Sequence, residues 1–156
     1  MILKISEATR IALYAIITLA ARPGQRVVIS DIADMYGISA NHLAKVMRPL
    51  TKAGLVKPVR GQGGGFTFVG NAKRFTFLDV IRLFEGQVEE VSFEAAGGNA
   101  LADELVHAIE QVFSEVNELA CATLDSVTVN TVVKQSERPE HRLSVRGSKK
   151  RRAGAV

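Results

Sequence analysis

Between Ser39 and Arg48 the chain places five side chains that donate hydrogen bonds or carry positive charge: Ser39, Asn41, His42, Lys45 and Arg48. A little further on, "VRGQGGGF" spans Val59 to Phe66, setting Arg60 ahead of glycines at 61, 63, 64 and 65. Cations and polar donors beside a glycine-rich stretch suit contact with phosphates and base edges, because glycine lets a backbone approach closely. A dinucleotide cradle is a different use of the same residues. It needs glycines at the first, third and sixth positions of a strand-to-helix turn. Counting from Gly61, the third position is Gly63, but the sixth is Phe66 and a strand is expected to follow. A flexible linker would not be bracketed this closely by β-formers. The remaining reading is a hairpin with glycines at its tip, supplying positive φ angles there. Nothing resembles a catalytic set: the three histidines are scattered, no serine is flanked by glycines, and no acids pair at a useful spacing.

These residues need elements to hold them. Ser6 is placed to cap a first helix to about Ala21, with apolar residues at 8, 12, 15, 16 and 19. Ser30 is expected to cap a short helix, "DIADMY", whose Ile32, Ala33 and Tyr36 share a face and which Gly37 ends. Ser39 is expected to cap "ANHLAKVMRPLTKA". Leu43, Val46, Met47 and Leu50 turn inward at spacings of three and four, leaving Asn41, His42, Lys45 and Arg48 for the outer surface. Pro49 predicts a kink or an early end there. Two β-prone runs, "LVKPVR" and "GFTFVG", flank the glycines, with Arg60 at the base of the hairpin. Thr76 is placed to cap "FLDVIRLFE", and "QVEEVSFEAAGGNA" reads as loop. From about Leu101 to Ala120 a long amphipathic helix carries Leu101, Leu105, Ala108, Val112, Val116 and Leu119 near a coiled-coil spacing. Thr123 is expected to cap a last helix, and disorder is expected beyond Lys134.

The architecture predicted is mainly α with a small β-hairpin: a winged helix-turn-helix over 1–75, a helical linker and dimerisation region over 76–133, and a basic tail over 134–156. Charge follows the same division. Residues 1–75 hold 11 lysines and arginines against three acids, 76–133 one against 11, and 134–156 eight against two. A polyanion should be drawn to the first half and the tail, and repelled by the middle. No apolar run reaches bilayer length, and the single cysteine, Cys121, allows no internal disulfide; a cytoplasmic location without membrane contact is the expectation.

The stretch "ISDIADMYGISANHLAKVMRPLTKAGLVKPVRGQGGGF" resembles the DNA-binding domain of the Rrf family of bacterial transcription regulators. The specific pieces are "IADMYGIS", "LTKAGLV" and "VRGQGGGF", and the resemblance continues through "FTFLDVIRLFEG" into "ATLDSVTV". It implies a homodimer joined through the long helix, with each recognition helix and wing on half of a palindromic operator in double-stranded DNA, acting as a repressor. The DNA-facing set would be Ser30, Ser39, Asn41, His42, Lys45, Arg48 and Arg60, with Gly61, Gly63 and Gly64 at the wing.

Here the chain departs from the family. Its best-studied members hold an iron–sulfur cluster on three cysteines in the loop before the long helix. Residues 87–102 contain no cysteine, so no cofactor is expected and the effector is open. Cys121 could sense redox state, though a small buried cysteine near a helix end is the commoner case. Glu104 and His107 have di-iron spacing, but one such pair without further carboxylates reads as a solvated ion pair. A competing reading makes the winged helix a protein-interaction module without specific DNA binding.

Overall fold

The computed structural model describes residues 5–61, 64–86, 92–93 and 100–137. Helix α1 (Glu7–Ala20) lies at the centre, packed against the second, third, fourth and sixth helices and the second strand. Ser6 caps it by accepting from the Thr9 backbone N–H at 3.2 Å. Its Ile11, Ala12, Ala15, Ile16 and Leu19 are all fully buried. Each large apolar side chain so enclosed stabilises the fold by about 1.5–3 kcal/mol relative to exposure.

Helix α2 (Ile29–Tyr36) buries Ile32 and Ala33, and Gly37 ends it at φ 64°. Tyr36 stays partly exposed, yet it stacks on Tyr14 at 4.5 Å between ring centroids and shares a 2.8 Å hydrogen bond with the Thr18 hydroxyl. The expected cap at Ser30 is corrected here. The helix starts two residues earlier, Val28 is its N-cap without a side-chain bond, and Ser30 lies inside the first turn. A tertiary contact fixes that start: Val27 exchanges two backbone hydrogen bonds with Phe66, both 2.9 Å, and delivers the chain to Ile29.

Helix α3 (Ala40–Lys52) buries Leu43, Val46, Met47 and Leu50 as the spacing predicts. Pro49 does not end it early. The helix continues to Lys52 because Leu50 is locked into the core; the carbonyl deprived of its usual partner belongs to Lys45, an exposed residue. Strands β1 (Val56–Val59) and β2 (Gly65–Phe68) pair antiparallel, with Val56 opposite Phe68 and Val59 opposite Gly65.

Helix α4 (Phe77–Glu85) opens with a full capping box between Thr76 and Asp79. At its far end the Glu85 carboxylate accepts from the Ser6 backbone N–H at 2.8 Å and from the Thr9 hydroxyl. These bonds, Thr9 first and then the Ser6 hydroxyl and N–H, hold that carboxyl below its ordinary range.

Helix α5 runs from Ala100 to Ser126, past the expected end at Ala120. Thr123 is therefore no cap. Its hydroxyl bonds back to the Leu119 carbonyl at 2.8 Å, and Thr128 caps the next helix instead, accepting from the Thr131 N–H. Helix α6 (Val129–Glu137) extends three residues past Lys134, where order was not expected. It returns to the first half: Val129 and Val133 are buried in the same core as Ile11 and Leu43. The core thus runs across the division drawn at residue 75, taking in Val80, Val129 and Val133. The rest of the tail, 138–156, lies outside the described residues.

Candidate nucleic-acid interface

Two elements position the polar groups named from sequence. Burial of Leu43, Val46, Met47 and Leu50 fixes the roll of α3, so Asn41, Lys45 and Arg48 are exposed on its other side. Ser39 accepts from the His42 N–H at 3.4 Å, starting the helix and orienting its first turn. His42 is half-buried, less open than its neighbours. Ser30, on α2, is exposed. Among the described residues, none of Lys45, Arg48, Lys52, Lys57 and Arg60 takes part in an ion pair, and all five are exposed. Their charge is available to a polyanion.

The wing holds two corrections. Arg60 directly follows the last strand pair, Val59–Gly65, so it begins the turn at the tip instead of standing at the base. Of the described tip glycines only Gly61 has positive φ, at 127°; Gly64 and Gly65 do not, and Gly63 lies outside the described residues. The requirement at Gly65 is space. A Cβ there would sit 2.3 Å from the Val27 carbonyl oxygen, so only glycine lets the hairpin dock on Val27. At Gly64 the nearest atom to such a Cβ is the Val59 carbonyl oxygen at 3.1 Å, a tight but milder approach.

The second surface of interest is α5. It has no buried residue, and Leu101, Leu105, Val112 and Leu119 are 58–70% exposed. Ala108 is also exposed and Val116 half-buried. Sequence reasoning missed Ile109 and Phe113, which follow Leu105 at successive spacings of four and are likewise exposed. Phe93 packs on Phe113 at 5.5 Å, and its backbone N–H donates to Glu110. His107 turns to Glu110 and Gln111, at 3.9 and 3.3 Å, not to Glu104 as expected. Cys121 is half-buried, not enclosed. Among the described residues no helix is long and apolar enough to cross a membrane.

Comparison with known proteins bears on both surfaces. A family model described as Rrf2, iron-dependent transcriptional regulator, matches residues 5–135. BadM of Rhodopseudomonas palustris, which bears the name of an HTH-type transcriptional regulator, is 42% identical over 145 residues, covering 93% of this chain and 90% of that one. The HTH-type transcriptional regulator NsrR of Bacillus subtilis is 33% identical over 136 residues, covering 86% and 93%. The crystal structure of oxidised Staphylococcus aureus CymR superposes with a TM-score of 0.70 at 29% identity, over 84% of this chain and 96% of that one. These relatives share the winged-helix fold and are regulators, not enzymes. The family's description names iron, and thiolates are the usual ligands of an iron–sulfur cluster. Cys121 is the chain's one cysteine, and among the described residues no three of His, Cys, Asp and Glu converge as metal ligands.

Proposed function

Because this chain belongs to the Rrf2 family of transcriptional regulators, we propose that it works as a homodimeric repressor on a palindromic operator. Helix α3 enters the major groove with Ser39, Asn41, His42, Lys45 and Arg48, and Ser30 on α2 meets the flanking backbone. The wing, with Arg60, Gly61, Gly63 and Gly64, reaches the adjacent minor groove or phosphates. The observation that carries this reading is the row of exposed cations from Lys45 to Arg60 on two neighbouring elements, none of them ion-paired among the described residues. Leu101, Leu105, Ala108, Val112, Val116 and Leu119 join the two copies through α5, which supports the half-site arrangement. The signal reaches the protein without an iron–sulfur cluster, since the thiolates for one are missing.

Arg60→Ala separates contact from folding. Its thermal midpoint should match wild type, because an exposed side chain at the tip packs against nothing in the core. Affinity for a cognate operator should fall by about 1–3 kcal/mol, with relaxed preference at one position, if Arg60 reads a base or narrowed groove. If it touches only phosphate, binding weakens evenly across sequences and the salt slope drops by about one. Wild-type affinity at every salt concentration would favour the interaction-module reading.

A further inference from the structure

The wing and α3 part company before their facing surfaces are filled. Side chains alternate along a strand, so Pro58 and Phe66 share the inward face with Val56 and Phe68. Val56 and Phe68 are buried and close the core at that level. One step nearer the tip, the cross-strand pair Pro58–Phe66 shares a cleft with Ala44, where α3 presents only a methyl group. The cleft has a volume of about 410 Å³, within the range of small-molecule sites. Met47 and Thr51 continue the wall, and Arg48 and Lys52 complete the lining. No carboxylate lines it, and neither cation is ion-paired among the described residues.

That combination selects a chemistry. A neutral apolar ligand would leave two cations unused, and a polyanion would leave the apolar wall unused. One anionic head on an apolar body satisfies both. We propose that this cleft binds a small amphipathic carboxylate, its body on Met47, Pro58 and Phe66 and its head on Arg48 and Lys52, and that the bound ligand releases DNA. This rests on the DNA-binding reading above, because Arg48 would serve both partners. The ligand neutralises a charge needed at the phosphates and wedges the wing against α3.

The test uses the full chain with 1-anilinonaphthalene-8-sulfonate as a fluorescent probe and decanoate, below its micellar concentration, as competitor. Decanoate should displace the probe, while decanol and decyltrimethylammonium should do so far less well. Ala44→Leu fills the cleft and should weaken decanoate by at least about tenfold. Lys52→Gln should weaken decanoate but not decanol, and decides the matter if Ala44→Leu fails to fold by circular dichroism. Equal competition by the cationic analogue, or wild-type decanoate binding in a folded Ala44→Leu and in Lys52→Gln, would overturn the site. Decanoate should also release a labelled duplex from wild-type protein; binding in the cleft without release would overturn the competition. Failure of the duplex to bind in the absence of decanoate would instead count against the DNA reading, leaving probe displacement to decide the cleft.

Discussion

The half of the molecule built on α1 and the long helix α5 both carry apolar side chains, placed differently. In the first, Ile11, Ile16, Leu43, Leu50 and Val129 are fully enclosed by the same chain. In the second, 27 residues pass without one buried side chain, and Leu105, Val112 and Leu119 face outward. An apolar stripe of this length on a soluble helix signals a surface completed by another molecule. One region encloses its apolar side chains within the same chain, and the other leaves them exposed, where the proposed dimer would cover them.

The contrast can be broken most severely at the seam. In the proposed dimer Leu105→Asp, present in both copies, would remove about 1.5–3 kcal/mol of burial from each, so the dissociation constant should rise by roughly 100-fold or more. Light scattering should then give a monomer that keeps its helical circular dichroism. A folded dimer would remove Leu105 from the interface.

Leu50→Ala tests the other side of the comparison. The buried cavity should cost about 2–5 kcal/mol in denaturant unfolding. A loss below 1 kcal/mol, within about the scatter of surface substitutions, would mean that α3 is not held by its inward face.

Gly65→Ala should cost less, about 1–3 kcal/mol, since its Cβ meets the Val27 carbonyl and the hairpin must shift. Amide exchange at Val27 and Phe66 should accelerate, whereas Gly64→Ala should leave it closer to wild type. Equal effects at the two glycines would refute the account of close approach.

The smallest effect lies at the border between the regions, where Glu85 holds Ser6 and Thr9. Its folded-state pKa is lowered, so its stabilisation is present above the unfolded carboxylate value of about 4.3 and is lost as pH falls through the folded value. The stability gap between wild type and Glu85→Gln should be open at pH 7 and close in acid. A gap that stays constant from neutral pH to the acid limit of folding would point to packing instead of charge.

Local rules made much of this legible. Ser6, Ser39 and Thr76 cap the helices they precede, and the inward set on α3 follows from spacing alone. Two of the misreadings share a cause, which is that long-range contacts overruled local signals. Ser30 was displaced as a cap by the Val27–Phe66 bridge, and Pro49 was carried through by the burial of Leu50. Thr123 bonded to its own helix, letting α5 run to Ser126. For the candidate DNA surface, the outward residues of α3 were readable. The Ala44 cleft was not, because it depends on the strand register that sets Pro58 beside Phe66.

The root of α5 has a mechanical consequence. Asp125 accepts from the Thr76 hydroxyl at 3.2 Å, the Phe77 N–H donates to Val127, and the Val129 N–H donates to Phe75. These bonds clamp one end of a rod roughly 40 Å long, at 1.5 Å per residue. A tilt of about 5° at the clamp swings the far end by roughly 3–4 Å over that length. If two copies join along α5 as proposed, the same tilt resets the separation of their reading heads, which would have to match a helical repeat of about 34 Å. In that proposed dimer the contacts joining residues 75–77 to 125–129 would act as the pivot of a caliper, their stiffness setting how narrowly the two heads gauge their target.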